Sequence, residues 1–273
     1  MIRSMTLADL ETVLNWAADE GWNPGRDDAT AFFSADNAGF FVAERDGRAV
    51  AAISVVNHDT QFAFLGLYLC HPAYRGRGIG YALWTHAIAH AGARTIGLDG
   101  VAAQQDNYAK SGFQSHGATL RLQGQLQAPL PFLREAAPDD FAAIASLDRA
   151  AIGYDRTAFL ASWTAPNRGR RTVLIDDPIG ICGFAAARLC RQGSKIGPVI
   201  APDTDNAMAL IRGAAALFGT SQITVDVPQA NTALIDQLSA LDFTETFRTA
   251  RMFRGAAPVA GATLQAIATM ELG

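Results

Sequence analysis

Apolar positions in the first half of the chain fall into two periods, alternation for strands and a three-to-four spacing for helices. Met1–Met5 reads as a strand, and the apolar residues after it recur at helical spacing to about Asp19, behind a Thr6/Asp9 capping box. A Gly/Pro/Asn loop, Gly21–Gly25, leads to a short helix near Asp28–Ser34. Strands Phe40–Arg45 and Ala49–Asn57 are joined by an Asp46-Gly47 hairpin turn, and Phe62–Cys70 is a further apolar strand. A glycine-rich turn then opens a helix from about Ile79 to His90. A strand covers Thr95–Asp99, and a helix holds Gln104–Ser111.

The second half replays this order. Leu133–Ala136 precedes a helix opened by Pro138-Asp139-Asp140 and a second helix near Arg156–Trp163. Strands follow at Arg171–Asp176, Ile181–Leu189 and Lys195–Ile200, then helix, strand and helix at Asn206–Phe218, Gln222–Val227 and Asn231–Leu241. Landmarks recur at an offset of 130 from Pro72 to Pro202 and from Phe113 to Phe243, and of 131 from Arg3 to Arg134. This reads as a duplication joined at roughly Gln123–Pro131. A length of 273 residues suits two domains, 1–122 and 132–254. The tail, 255–273, is either a last strand and helix or a frayed end. The expected fold class is α/β (α+β), each half a mostly antiparallel twisted sheet flanked by helices.

Composition narrows the function. Hydrophobic residues at 49% against 18% charged describe a packed protein rather than a disordered one. A net charge of -4 and a pI of about 5.7 leave no footprint for nucleic acid or an anionic membrane. The start of the chain carries no apolar signal core, and no uninterrupted span suits a bilayer. Cys70, Cys182 and Cys190 are odd in number and lack a CxxC pair, and His86, His90 and His116 lack metal-like partners, so neither a disulfide framework nor a metal site is expected. Small-molecule chemistry in the cytoplasm fits these features.

Leu67 to Trp84 carries the chemistry. An apolar strand runs into a loop containing Gly76, Gly78 and Gly80, which becomes the first turn of a helix. Backbone N–H groups there lack intrahelical partners and carry the positive end of the helix dipole, a good seat for a diphosphate. The lysine and hydroxyl of a P-loop are missing. A dinucleotide fingerprint is a nearer rival, because Asp99 lies 19 residues past Gly80. Hairpin-joined strands ahead of the turn argue against it.

Arg75-x-x-Gly78-x-Gly80, following a strand and Pro72, resembles the acetyl-CoA motif of the GNAT N-acetyltransferases, and Tyr108-x-x-x-Gly112-Phe113 is similar to that family's Y-x-x-x-G-F helix. The likeness extends over the element order of residues 1 to about 122. Glu20–Gly25, Gly97–Val101 and Gln105–Tyr108 are similar to a two-domain subgroup. The resemblance implies tandem GNAT folds, a catalytic copy at 1–122 and a degenerate one at 132–254. It implies acetyl-CoA as co-substrate without a metal, and direct transfer of the acetyl group to the amine of a small-molecule acceptor. It further implies that Arg75, Gly76, Arg77, Gly78, Ile79, Gly80 and Tyr81 surround the pyrophosphate, and that Tyr68, Leu69 and Cys70 pair with the pantetheine. The Cys70 N–H then holds the oxyanion, and Tyr108 is the general acid.

The base stays open among His58, Asp99 and Glu20, because Val50–Asn57 and Phe62–Cys70 lack the glutamate that many members carry. Glu20, Trp22 and Asn23 are expected on the acceptor side. Carrying the offset of 130 across the motif replaces Arg75, Gly78 and Gly80 by Asp205, Met208 and Leu210, and Tyr108 by Leu238. The second copy is therefore expected to have lost the cofactor cradle. It would instead wall the acceptor cleft or form an interface between the halves or between the subunits of a homodimer. The alternative function is a catalytically silent acyl-CoA sensor.

Overall fold

Thr6 caps the first helix as its spacing predicts: its hydroxyl accepts from the Asp9 N–H at 3.2 Å, and the Asp9 carboxylate accepts from the Thr6 N–H at 2.8 Å. The computed structural model describes residues 1–126 and 133–273, so the expected join at 123–131 lies partly outside the described residues. The first half contains β1 (Ile2–Ser4), α1 (Leu7–Asp19), α2 (Asp28–Ala35), β2 (Phe40–Arg45), β3 (Arg48–Asn57), β4 (Phe62–Cys70), α3 (Ile79–His90), β5 (Thr95–Val101), α4 (Gln105–Lys110) and β6 (Gln114–Gln125). The second contains α5 (Phe141–Ile152), α6 (Thr157–Thr164), β7 (Arg170–Asp177), β8 (Gly180–Leu189), β9 (Ser194–Ile200), α7 (Thr204–Ala216), β10 (Gln222–Pro228), α8 (Thr232–Ser239) and β11 (Thr244–Arg254), followed by β12 (Leu264–Ala266). Asp46 and Gly47 both take positive φ, 52° and 71°, as a tight hairpin turn requires. Leu133–Ala136 forms only a bridge, Glu135 to Val173.

The repeat is present, but its two halves are not separate sheets. The described strands form one 12-stranded sheet in the order β1-β2-β3-β4-β5-β11-β6-β10-β9-β8-β7, with β12 beside β9. The last strand of each half is exchanged. β11 lies antiparallel to β5, β6 lies antiparallel to β10, and β6 and β11 pair with each other. The expected boundary at 122 thus falls within β6. Neither exchanged strand was foreseen, because polar side chains stud both and two register shifts interrupt their pairing, between Glu245 and Phe247 and between Ala250 and Met252.

Each exchanged strand brings one arginine opposite an aspartate of the other half. Arg121 on β6 holds Asp226 on β10 through Nε–Oδ1 at 2.7 Å and Nη2–Oδ2 at 2.9 Å. Arg251 on β11 holds Asp99 on β5 through Nε–Oδ1 at 3.0 Å and Nη2–Oδ2 at 2.7 Å. Both carboxylates are buried, and each pair sits directly in register. A third cluster joins α2 to β7 and β8. Asp28 accepts from Arg170 Nη2 at 2.7 Å, from Arg188 and from the Gly25 N–H at 2.7 Å, while both guanidinium groups cover the Trp163 ring.

The tail stays at the surface through Thr263 and is buried from Gln265 on, and it contains a strand without the helix. β12 runs antiparallel to β9 with Leu264 opposite Ile200, and the Ile267 N–H donates to Asp226 O at 3.0 Å. Ala268 and Leu272 then join the core that α1 and α2 build against Val42, Ala52, Leu67 and Leu69. Apolar burial in this core spans both halves, since Phe159 and Trp163 of α6 and Ala186 of β8 complete it.

Removing one member of a buried pair leaves an unpaired charge. Asp226→Ala should lower the unfolding free energy by about 3 kcal/mol, measured by urea titration. The double variant Arg121→Met/Asp226→Leu should recover most of that loss, and equal losses in both variants would show that the stranded Arg121 charge is not its cause.

Candidate active site

β4 and β5 pair in parallel from Phe62/Thr95 to Leu65/Leu98, and there the pairing stops although both strands continue. The cause lies on the opposite edge of β4. Leu67 has φ 46°, and Leu67 and Tyr68 together face the single residue Ile53 of β3, a bulge that bends β4 away from β5. Past the fork, the His71 N–H donates to Val50 O at 2.9 Å. The alternation of an antiparallel ladder then turns the Leu69 amide toward β3 and the Cys70 N–H toward the open fork.

The glycine turn sits at the mouth of the fork. Gly76 and Gly78 both have φ 74°, and Gly78 caps α3 without a side chain, so the N–H groups of Ile79, Gly80 and Tyr81 face outward from the helix end. A Cβ on Gly80 would lie 2.7 Å from Tyr68 Oη. A side chain there would have to displace that hydroxyl. Arg75 departs from expectation: its Nε donates to Cys70 O at 2.9 Å and its Nη2 pairs with Glu20, so the side chain ties the turn to β4 and α1 instead of facing the helix end. Arg77 lies over the Tyr74 ring, and Tyr81 is exposed.

A cavity penetrates the fork. Tyr68, Leu98 and Tyr108 line it on the α3 side, while Gly66, Asp99, Trp22, Arg121, Phe247, Met270 and Glu271 line the remainder. Tyr108 stacks on Trp84 with ring centroids 5.6 Å apart and meets Phe113 edge-on. Burial pushes its phenol up to about 12, and its hydroxyl has no hydrogen-bond partner among the described residues.

None of the three expected bases is free to act in this cavity. His58 is packed among Phe62, Tyr154 and Phe159 with Nε2 2.8 Å from Leu272 O, outside the cavity lining, and burial pushes it down to about 4. Asp99 lines the cavity, but Arg251 holds both oxygens and Thr119 and Thr249 hydroxyls add bonds at 3.3 Å. Burial raises its carboxyl. Glu20 is exposed and paired with Arg75.

The second half builds the far wall. Trp22 O accepts from Arg121 Nη1 at 3.0 Å and from Lys195 Nζ at 2.8 Å. The Asn23 side chain exchanges two bonds with the Gln192 backbone, at 2.8 and 3.2 Å, and the Arg26 N–H donates to Leu189 O. Burial lowers Lys195 to about 8. Arg121, Phe247, Met270 and Glu271 were missed in the sequence because only the exchanged strands and the tail bring them here; nothing local marks them.

The second half has its own fork, where β9 and β10 stop pairing after Ile196/Val225. β12 and Ile267 occupy it, leaving no space for a Cβ on Gly197 beside Ile267 O. Helix α7 begins 125 residues after α3, not 130, so the constant offset misplaces the residues at its start. Met208 and Leu210 are core side chains rather than a block over the helix end. Asp203 takes that place, its carboxylate accepting from the Asn206 N–H at 2.8 Å. Leu238, in the position of Tyr108, is fully buried.

Comparison with known proteins bears on both halves. A profile described as "Acetyltransferase (GNAT) family" matches residues 7–113, and one described as "Acetyltransferase (GNAT) domain" matches residues 144–266. The holothin acyltransferase of Pseudoalteromonas sp. is 34% identical over 98% of this chain and 92% of its own length. YitH, an uncharacterized N-acetyltransferase of Bacillus subtilis, is 26% identical over 77% of this chain and 76% of its own. Two solved structures share the fold. A candidate acetyltransferase of Pyrococcus horikoshii has a TM-score of 0.82 at 20% identity, covering 100% of this chain and 95% of that one. A tandem GNAT protein from the clavulanic acid biosynthesis pathway has a TM-score of 0.64 at 19% identity, covering 96% and 99%.

His58 supplies a test independent of any ligand. Its folded pKa, about 4, lies below the ordinary value near 6.5, so between these pH values the unfolded chain binds a proton that the folded chain does not. Stability attributable to this site should fall as pH drops through that window. The urea midpoint of wild type should therefore fall more steeply from pH 6.5 to 4.5 than that of His58→Asn, and parallel curves would contradict the buried neutral imidazole.

Proposed function

The chain belongs to the GNAT acetyltransferase family and carries two of its domains, and on that premise we propose that its first half transfers an acetyl group from acetyl-CoA to the amine of a small-molecule acceptor. The observation that carries this reading is the fork: the Cys70 N–H and the Tyr108 ring face it, and the uncapped end of α3 lies at its mouth. The fit to the donor is good at each place. The N–H groups from Gly78 to Tyr81 suit a diphosphate, the open edges of β4 and β5 suit the amide groups of a pantetheine arm, and Cys70 is the strand residue with a free amide.

Bound acetyl-CoA supplies a thioester, and the chain supplies the rest. The Cys70 N–H holds the carbonyl oxygen as charge gathers on it. Tyr108, protonated through the neutral range, donates to the departing sulfur. An alkyl amine with a pKa near ~10.4 is neutral in about one molecule in a thousand at pH 7, so removal of its proton is part of the work. Trp22, Phe247 and Met270 make the acceptor side a small walled space, which supports a compact acceptor over a protein tail. Residues 132–254 serve as that wall and bind no cofactor. Acceptors of the kind named in the holothin acyltransferase belong first in any screen.

The test is CoA-thiol release from acetyl-CoA against holothin, amino acids, polyamines, amino sugars and aromatic amines. One acceptor class should turn over, and Tyr108→Phe should lower kcat by about 100-fold or more while acetyl-CoA still binds. Binding without turnover on the whole panel would favour a sensor, and no binding would overturn the reading.

A further inference from the structure

Two acidic residues line the fork cavity, Asp99 and Glu271, and the surroundings of their carboxylates differ. Asp99 is saturated by Arg251 and two threonine hydroxyls. Glu271 is buried, and the side-chain partner of its carboxylate among the described residues is the Thr269 hydroxyl alone. Its backbone is pressed against Gly66, at the point where β4 leaves β5, with no space for a Cβ on that glycine. Tyr108 borders the same cavity from the α3 side.

Resting on the acyl-transfer reading above, we propose that Glu271 is the group that takes the proton from the attacking amine. The step balances without any further reagent. The ammonium form first loses its extra proton to water; the nitrogen lone pair of the neutral amine then forms the new C–N bond as one N–H proton passes to a Glu271 carboxylate oxygen, and the C–S bond breaks with its electron pair on sulfur. Tyr108 Oη donates to that sulfur, and the proton on Glu271 returns to bulk water as the phenol is restored. A base carried by the tail explains how a fork whose β3 and β4 strands hold no carboxylate can perform this chemistry. It also assigns the ordered tail a part in the reaction: threading through the second fork brings Met270 and Glu271 to the first.

Other charged groups face this carboxylate and must be separated from it. Arg121 on β6 and Lys195 on β9 are near enough for Glu271 to attract both charges, which for Lys195 only partly offsets the lowering by burial, and Asp226 on β10 holds Arg121. Tyr68, Tyr108 and Asp99 share the cavity, Arg251 lies behind Asp99, and His58 contacts the next residue, Leu272.

The experiment is the pH dependence of kcat with the fastest amine of the panel, together with acetyl-CoA affinity by calorimetry. Glu271→Gln should lower kcat by about 100-fold or more and abolish the acidic limb, with acetyl-CoA affinity unchanged within about twofold. Glu271→Asp should restore the limb at intermediate kcat, a result that a purely structural role would not give. Asp99→Asn should keep the limb. A Glu271→Gln enzyme within threefold of wild-type kcat, or loss of the limb in Asp99→Asn instead, overturns the assignment to Glu271 and leaves acyl transfer standing. A wild-type chain that binds acetyl-CoA and acetylates none of the amines overturns the acyl-transfer reading, and this assignment with it.

Discussion

The exchange of β6 and β11 constrains everything else in the molecule. Each strand completes the other half's sheet, and each carries the arginine that neutralises a buried aspartate there. Such a pair contributes little net stability, because the desolvation of both charges offsets their attraction. Its effect is on register. Sliding either strand by one residue would turn Arg121 or Arg251 to the opposite face and strand a buried carboxylate, so the alternatives to the observed pairing are heavily penalised.

From that constraint the geometry of the fork follows. With β11 bound to β5, the free side of β5 is its end beyond Leu98, and the bulge at Leu67 carries β4 away from the same point. The loop around Trp22 is then reached by Arg121 from β6 and Lys195 from β9, one from each half. The tail passes through the fork of the second half before arriving at the first, so the same segment closes one cleft and lines the other. Duplication has left two forks with different fates. Gly78, with no side-chain cap, keeps the helix end at the first one open, whereas Asp203 supplies an internal carboxylate to the helix end at the second.

Much of this was legible in the residues themselves. Capping at Thr6, the Asp46-Gly47 turn, the strand Phe62–Cys70 and the glycine turn into α3 are local features, set by periodicity and by residues with restricted or permissive backbones, and the structure has each of them. The candidate site was legible only where it is local: the glycine turn, the end of β4 and Tyr108. Its other half was hidden for physical reasons. Arg121 and Phe247 lie on strands whose polar faces are buried by the opposite copy, a fact no alternation within the strand records. Glu271 sits in a short Ala-rich tail that takes its place by pairing with β9, and the offset of 130 between the copies drifts to 125 at α7, so a constant offset points to the wrong residues over that helix end.

The claim at the centre is that one fork in each chain receives the acyl donor and the other is permanently closed by β12. Calorimetric titration of acetyl-CoA into the full chain tests it most directly, backed by a crystal structure of the complex. The account predicts one molecule per chain, lying between β4 and β5 with its diphosphate at the start of α3 and β12 still paired to β9. Two molecules per chain, or one in the β9/β10 fork with β12 displaced, would contradict it.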